Sequence, residues 1–195
     1  GLISQAEGID YLTAKQVHQA IDEAEAVLFV VSARDGLVAG DEDIADVLRR
    51  AAKPVILVAN KVDGMDVDTA LADFSSLGMG EAQAVAAAHR RGLEAMMDAL
   101  TESLPAAMEP EAQPEDTDRL RLAIVGRPNV GKSTLVNRLL GEERVLAYDK
   151  PGTTRDSIRI ELERDGQQYE LIDTAGVRRR SRVSEAIEKF STIKA

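Results

Sequence analysis

Gly126, Arg127, Pro128, Asn129, Val130, Gly131, Lys132 and Ser133 place two glycines around a short loop and follow them with a lysine and a hydroxyl. Glycines at those positions let successive backbone N–H groups turn inward onto an anion, and a helix that starts at the lysine adds positive potential. The apolar stretch Leu120 to Val125 leads into the loop, and Lys132 to Leu140 reads as a helix closed by Gly141. That strand–loop–helix context is what a phosphate-binding loop requires. In it, Lys132 is expected to reach the β- and γ-phosphates of a nucleotide and Ser133 to ligate Mg²⁺, with Thr134 behind it.

Three further groups suit the same chemistry. Asn60-Lys61-Val62-Asp63 ends an apolar run. The Asp63 carboxylate can accept from N1–H and the 2-amino group of guanine, a pair that adenine lacks. Asn60 is expected to address N7, and the Lys61 stem to lie across the base. Asp173-Thr174-Ala175-Gly176 ends a second apolar run, Tyr169 to Ile172. There Asp173 suits the Mg²⁺ shell and the Gly176 N–H a γ-phosphate. Gly152-Thr153-Thr154-Arg155-Asp156 lies between the phosphate loop and that turn, and either threonine can offer a hydroxyl to Mg²⁺ and an N–H to phosphate. The Asn-Lys-Val-Asp tetrad precedes the phosphate loop, which raises the question of one site or two.

The elements that must position these residues alternate. Helical periodicity covers 12–26, 41–52, 67–77 and 92–104, with Asp41 as a candidate cap for the second. Apolar runs at 26–31, 54–59 and 82–87 read as buried strands, and such alternation predicts a parallel sheet. Residues 105–118 are acidic and hold three prolines, which reads as a semi-extended linker. Beyond it, strands at 158–163 and 168–172 flank Asp165-Gly166, a hairpin signal, and a helix begins at Ser184.

Composition narrows the possibilities. With 195 residues the chain suits one large domain or two small ones. It has no cysteine, so disulfides and thiolate metal sites are excluded. His18 and His89 stand alone, without metal-ligand spacing. Aromatic residues are 3%, which disfavours base stacking on aromatic platforms, and no DNA partner is expected. No apolar run approaches the ~20 residues of a membrane span, and no secretion leader is seen, so a cytoplasmic protein is expected. The sequence begins at Gly1 and ends within a helical pattern, so it reads as a piece of a longer protein. Residues 1–118 carry a net charge of −15 and residues 119–195 a net of +5. The basic part is suited to phosphate from a nucleotide or RNA. Arg178, Arg179, Arg180 and Arg182 could touch RNA phosphates or form a solvated switch surface, and the solvated reading is preferred.

The chain resembles the double-G-domain ribosome-assembly GTPases of the EngA/Der type, within the TrmE–Era-like class. Gly126 to Thr134, Pro151 to Asp156, Asp173 to Val177 and Glu188-Lys-Phe-Ser191 resemble the second G domain of that family. Gln5 to Gly8, Ala26 to Gly36, Gly40-Asp-Glu42 and Asn60 to Gly64 resemble the latter part of the first. The resemblance implies 1–104 as the C-terminal part of a first G domain, 105–118 as linker and 119–195 as the N-terminal part of a second. It implies GTP and GDP as ligands, with Mg²⁺ held by Ser133, Thr154 and Asp173, and hydrolysis of GTP in assembly of the large ribosomal subunit, with rRNA as partner. It selects Thr154 over Thr153, and it associates Asn129 with a K⁺ ion that offsets transition-state charge. Two departures stand out. The base-contacting Ser-Ala of the family falls at Ala86-Ala87, so the serine is missing and only the Ala87 N–H is left for guanine O6. Val177 stands where Ras-like proteins carry a water-orienting glutamine, a role valine cannot fill. Ser32-Ala33-Arg34 mimics the Ser-Ala motif but precedes the tetrad and is read as a strand end.

The expected fold is therefore α/β and Ras-like, a mostly parallel sheet flanked by helices. Residues 1–104 supply the last three strands of such a domain and 119–195 the first three. They make either one sheet in permuted order, with Asp63 facing the base of a nucleotide held by Lys132, or two incomplete halves. The leading function is GTP hydrolysis; the alternative is a piece that binds nucleotide or rRNA without turnover.

Overall fold

The computed structural model describes residues 17–104, 119–141, 146–148, 160–164 and 166–172. Helix α1 covers 17–23 of these. It is followed by β1 (Ala26–Ser32), α2 (Ala39–Ala51), β2 (Val55–Asn60), α3 (Val67–Ala72) and β3 (Gln83–Val85). Then come α4 (Leu93–Ser103), β4 (Arg119–Val125), α5 (Lys132–Leu140), β5 (Leu146–Tyr148), β6 (Ile160–Arg164) and β7 (Gln167–Ile172).

All seven strands form one sheet, in the order β3-β2-β1-β4-β7-β6-β5. The pairs β2–β3, β1–β2, β1–β4 and β4–β7 are parallel, while β7–β6 and β6–β5 are antiparallel. The seam lies between β1 and β4, where Ala26 registers with Leu122 and Phe29 with Val125. The stretch before the proline-rich segment and the stretch after it thus share a sheet, the permuted alternative of the two set out above.

Every residue of β1 is buried, because it is central and covered on both faces. Alternation divides it between two cores. Leu28 and Val30 join Val58, Met96, Leu100, Leu122 and Leu135 under α4 and α5. Val27, Phe29 and Val31 join Ile21, Leu48, Leu57, Phe74 and Val125 under α1, α2 and the turn after α3. Each large side chain so buried contributes about 1.5–3 kcal/mol relative to exposure. Lys53, just before β2, donates from Nζ to the carbonyls of Ile21 (2.6 Å), Asp22 and Ala24, closing the end of α1 with a cation.

Several boundaries differ from expectation. Helix α2 starts at Ala39 after Val38, so Asp41 sits inside the first turn and is not its cap. Its side chain is turned elsewhere, as described below. The 67–77 helix is α-helical to Ala72 and 3₁₀ from Asp73 to Leu77. Strand β3 is shorter than 82–87 and gives way to a 3₁₀ turn at Ala87–His89. Gly141 caps α5 with φ −94°, so it closes the helix without the left-handed turn expected of a terminal glycine. The hairpin forms, with Arg164 opposite Gln167 and Gly166 at φ +82°. Strand β5 gave no signal, since three residues are too few to show alternation. The proposed linker 105–118, the helix from Ser184 and the start of the 12–26 helix lie outside the described residues.

Candidate nucleotide site at the carboxyl ends of the strands

Strand β4 delivers the chain into the loop 126–131, and α5 begins at Lys132. The geometry there admits only glycine at two points. Gly126 has φ +148°, and a Cβ on it would lie 2.1 Å from the Val30 carbonyl oxygen of β1. Gly131 has φ +102°, and a Cβ on it would lie 2.3 Å from Asn60 Nδ2 at the end of β2. Asn129 takes φ +65°, a left-handed conformation that asparagine tolerates better than most residues. Pro128 and Asn129 are exposed. Val130 is buried and belongs to the α4/α5 core, so its side chain anchors the loop. Ser133 and Thr134 follow in the first turn of α5, partly exposed. Lys132 Nζ donates to the carbonyls of Gly126 (2.7 Å) and Arg127 (2.8 Å), so the ammonium lies across its own loop.

The tetrad meets this loop directly. Asn60 is 2% exposed. Its Nδ2 donates to the Val130 carbonyl at 2.9 Å, and its Oδ1 accepts from the Ala87 N–H at 3.1 Å. One amide thereby ties the end of β2 to the phosphate loop and to the turn after β3. Two groups expected at the base are thus engaged within the protein. Asn60 acts first as a strut, with only the second Nδ2 hydrogen left for a purine N7. The Ala87 N–H, expected at guanine O6, donates to Asn60 Oδ1 in this structure. Lys61 follows at φ +68°, and this left-handed kink turns the chain off the end of β2. Asp63 is held by the Arg34 guanidinium, and His89 Nε2 stands 3.9 Å from the same oxygen, Oδ2. The sequence marks Arg34 only as a strand end. Nothing in the sequence pairs it with a residue 29 positions later; only the parallel register of β1 with β2 does.

Arg127 makes the second link between the early and late parts of the chain. Its Nε donates to Asp41 Oδ1 at 2.8 Å, and its Nη2 stands 3.7 Å from Asp35 Oδ2. Asp41 is fully buried. The hydrogen bond to Asp41 raises the Arg127 pKa above its ordinary value against the opposing effect of burial, with the charges of Asp41 and Asp35 adding to the rise. Gly40 lets the Arg127 stem pass, since a Cβ there would come within 2.9 Å of Arg127 Cδ. Arg127 is therefore turned away from the loop's concavity and toward α2. Arg138 Nη2 to the Ala88 carbonyl (3.2 Å) and Arg90 Nη2 to the Gly141 carbonyl (3.3 Å) strap the 87–89 turn to α5.

Among the described residues no cluster of His, Cys, Asp and Glu could hold a metal ion. Of the three residues expected at Mg²⁺, Ser133 is described; Thr154 and Asp173 lie outside, as do Thr174, Ala175, Gly176 and Val177. Two grooves, one lined by Arg119, Glu161 and Tyr169 and another by Met97, Asp98 and Arg164, contain no residue of the loop or the tetrad. The 126–131 loop is an open cradle of backbone, and its fit to an anion rests on its glycines and on the start of α5.

A phosphate loop after β4, with a guanine-type tetrad two strands away across a mostly parallel sheet, defines a Ras-like P-loop GTPase fold. The 50S ribosome-binding GTPase family model matches residues 121–195. Relatives named GTPase Der align over the whole chain. That of Thioalkalivibrio sulfidiphilus (strain HL-EbGR7) is 58% identical, covering 100% of this chain and 42% of the relative. Those of Acinetobacter baumannii (strain ATCC 17978) and Methylococcus capsulatus are 57% and 55% identical over 100% of this chain, which spans 41% and 42% of their lengths. The chain belongs to the Der-type family of GTPases, and it spans about two fifths of the length of the curated relatives it matches. Among solved structures, the crystal structure of YjeQ from Thermotoga maritima is similar at 18% identity, with TM-score 0.48 over 77% of this chain and 47% of that one.

Proposed function

We propose that this chain binds guanine nucleotide in a single site and hydrolyses GTP to GDP and phosphate. The observation that carries the reading is Asn60, whose buried amide joins the tetrad strand to the phosphate loop at Val130. Because of that strut, Asp63 and Lys132 serve one ligand even though they belong to different parts of the chain. Backbone N–H groups of 126–131 and the N-terminus of α5 hold the phosphates. Lys132 leaves the Gly126 and Arg127 carbonyls to neutralise the β- and γ-oxygens. Asp63 reads the N1–H and 2-amino edge.

The Ser133 hydroxyl, at the first turn of α5, fits a Mg²⁺ ligand, and Thr154 and Asp173 are proposed to complete the set. When bound, Mg²⁺ would neutralise charge on the phosphate oxygens. Asn129 is proposed to face K⁺; its left-handed backbone already accounts for an asparagine in the loop, so K⁺ dependence needs its own measurement. Gly176 and Thr154 are proposed to contact the γ-phosphate. Residues 1–104 and 119–195 are proposed to be parts of two neighbouring G domains, a reading supported by the family resemblance. A role in large-subunit ribosome assembly and a cytoplasmic location are proposed with it. The match to a 50S ribosome-binding family supports the ribosomal role.

The test is Asp63→Asn. It should shift preference from guanine to xanthine nucleotides, read by competition against labelled GDP and XDP. Unchanged preference in a protein that still binds nucleotide would separate the tetrad from the phosphate loop. Phosphate release in K⁺ against Na⁺ then distinguishes turnover from binding alone.

A further inference from the structure

A carboxylate that reads two donors on one base edge must keep its plane fixed, since rotation about its terminal torsion would lose one of the two bonds. The turn after β3 offers no hydroxyl for this purpose: Ala86 and Ala87 are both buried alanines. Among the described residues, Arg34 and His89 reach Asp63, and both approach Oδ2. Arg34 is the closer, and its backbone is placed by the sheet. Ser32 registers with Asn60, and the Ala33 N–H donates to the Asn60 carbonyl at 2.8 Å. Its anchor is thus one residue removed from the tetrad strand's last hydrogen bond. Each carboxylate oxygen has two acceptor positions, so Oδ2 can hold the guanidinium and a base N–H together.

We infer that Arg34 is the positioning residue for base recognition, holding the Asp63 carboxylate in the orientation that reads the N1–H and 2-amino edge of guanine. The inference rests on the nucleotide site proposed above. Arg34 is 56% exposed, so its removal leaves the core intact and acts on recognition rather than folding.

The experiment compares Arg34→Ala, Arg34→Lys and the parent chain in displacement of labelled GDP by GDP, IDP and inorganic pyrophosphate. IDP lacks the 2-amino donor, and pyrophosphate lacks the base. Arg34→Ala should raise the Kd for GDP about tenfold, the loss of one charge-assisted positioning contact. It should also compress the GDP-over-IDP ratio and leave pyrophosphate unchanged. Arg34→Lys should restore part of the discrimination, since an ammonium reaches the same oxygen with poorer geometry. An unchanged GDP-over-IDP ratio in Arg34→Ala overturns the inference. So does tighter GDP binding, which would make Arg34 a competitor for Asp63. If the parent binds no GDP at all, the nucleotide reading fails and this one falls with it; if Asp63→Asn shifts preference while Arg34→Ala does not, only this one falls.

Discussion

At the phosphate end of the site, contacts are buried and run through backbone: Asn60 to Val130 and Ala87, Gly126 against Val30, Gly131 against Asn60. At the proposed base end, the Arg34 ion pair and the nearby His89 imidazole reach from exposed side chains and converge on one carboxylate, Asp63, whose side chain is 23% exposed. Backbone in a dry seam has no room to adjust, whereas an ion pair open to water tolerates substitution at modest cost. The two ends should therefore fail differently. Damage at the seam should remove fold and phosphate binding together, and damage at the base edge should alter which base is chosen.

The largest effect is expected from Gly131→Ala. The new methyl meets the Asn60 amide, and alanine resists φ +102°. A loss of about 4 kcal/mol is expected, with nucleotide retention lost as well; a thermal melt with and without GDP reads both. If the variant melts like the parent, the seam is looser than its glycines imply. Asn60→Ala comes next. It leaves the Val130 carbonyl and the Ala87 N–H buried without their partner, at about 2–3 kcal/mol in denaturant unfolding. A cost confined to GDP affinity, with stability unchanged, would recast Asn60 as a base contact rather than a strut.

The smallest effect lies just beyond the base edge. Asp66 caps α3, accepting from the Thr69 hydroxyl (2.7 Å) and the Thr69 N–H (3.0 Å), and these bonds lower its pKa below the ordinary value, hydroxyl first. A carboxylate depressed in the folded state stabilises above its unfolded pKa, and that contribution is lost as pH falls through the folded value. Asp66→Ala should lower the melting temperature slightly at neutral pH and make no difference under strongly acidic conditions. An equal drop at both pH values would place the effect in packing instead.

The unequal construction of the two ends explains what could be read in advance. The loop 126–133 was legible because backbone geometry demands glycine, and that demand leaves a local mark in the sequence. Asn60 was legible as a residue but not as a strut, since its partners lie 70 and 27 positions away. Asp41 looked like a cap because aspartate commonly is one. Its partner Arg127 sits 86 positions on, and only the folded sheet shows that the two meet. Arg34 reads locally as the end of a strand, and its partner Asp63 lies 29 positions on. The order of elements predicted an α/β sheet, but whether β1 would find β4 depended on packing that no local pattern records.

That β1–β4 seam has a consequence in time. Glu25 and Arg121, which meet at its edge, are 96 positions apart, and all of β1, β2 and β3 is synthesised before β4 exists. Within the described residues β1 is apolar on both faces and has β4 as its neighbour on the side away from β2; a strand edge of that kind, left unpaired, is a surface that pairs with a neighbouring chain. Closing so long a loop comes late and slows the approach to the native state. The centre of the sheet is thus the strand pairing with the greatest distance along the chain to bridge, so this chain is expected to refold more slowly than a sheet built from sequence neighbours.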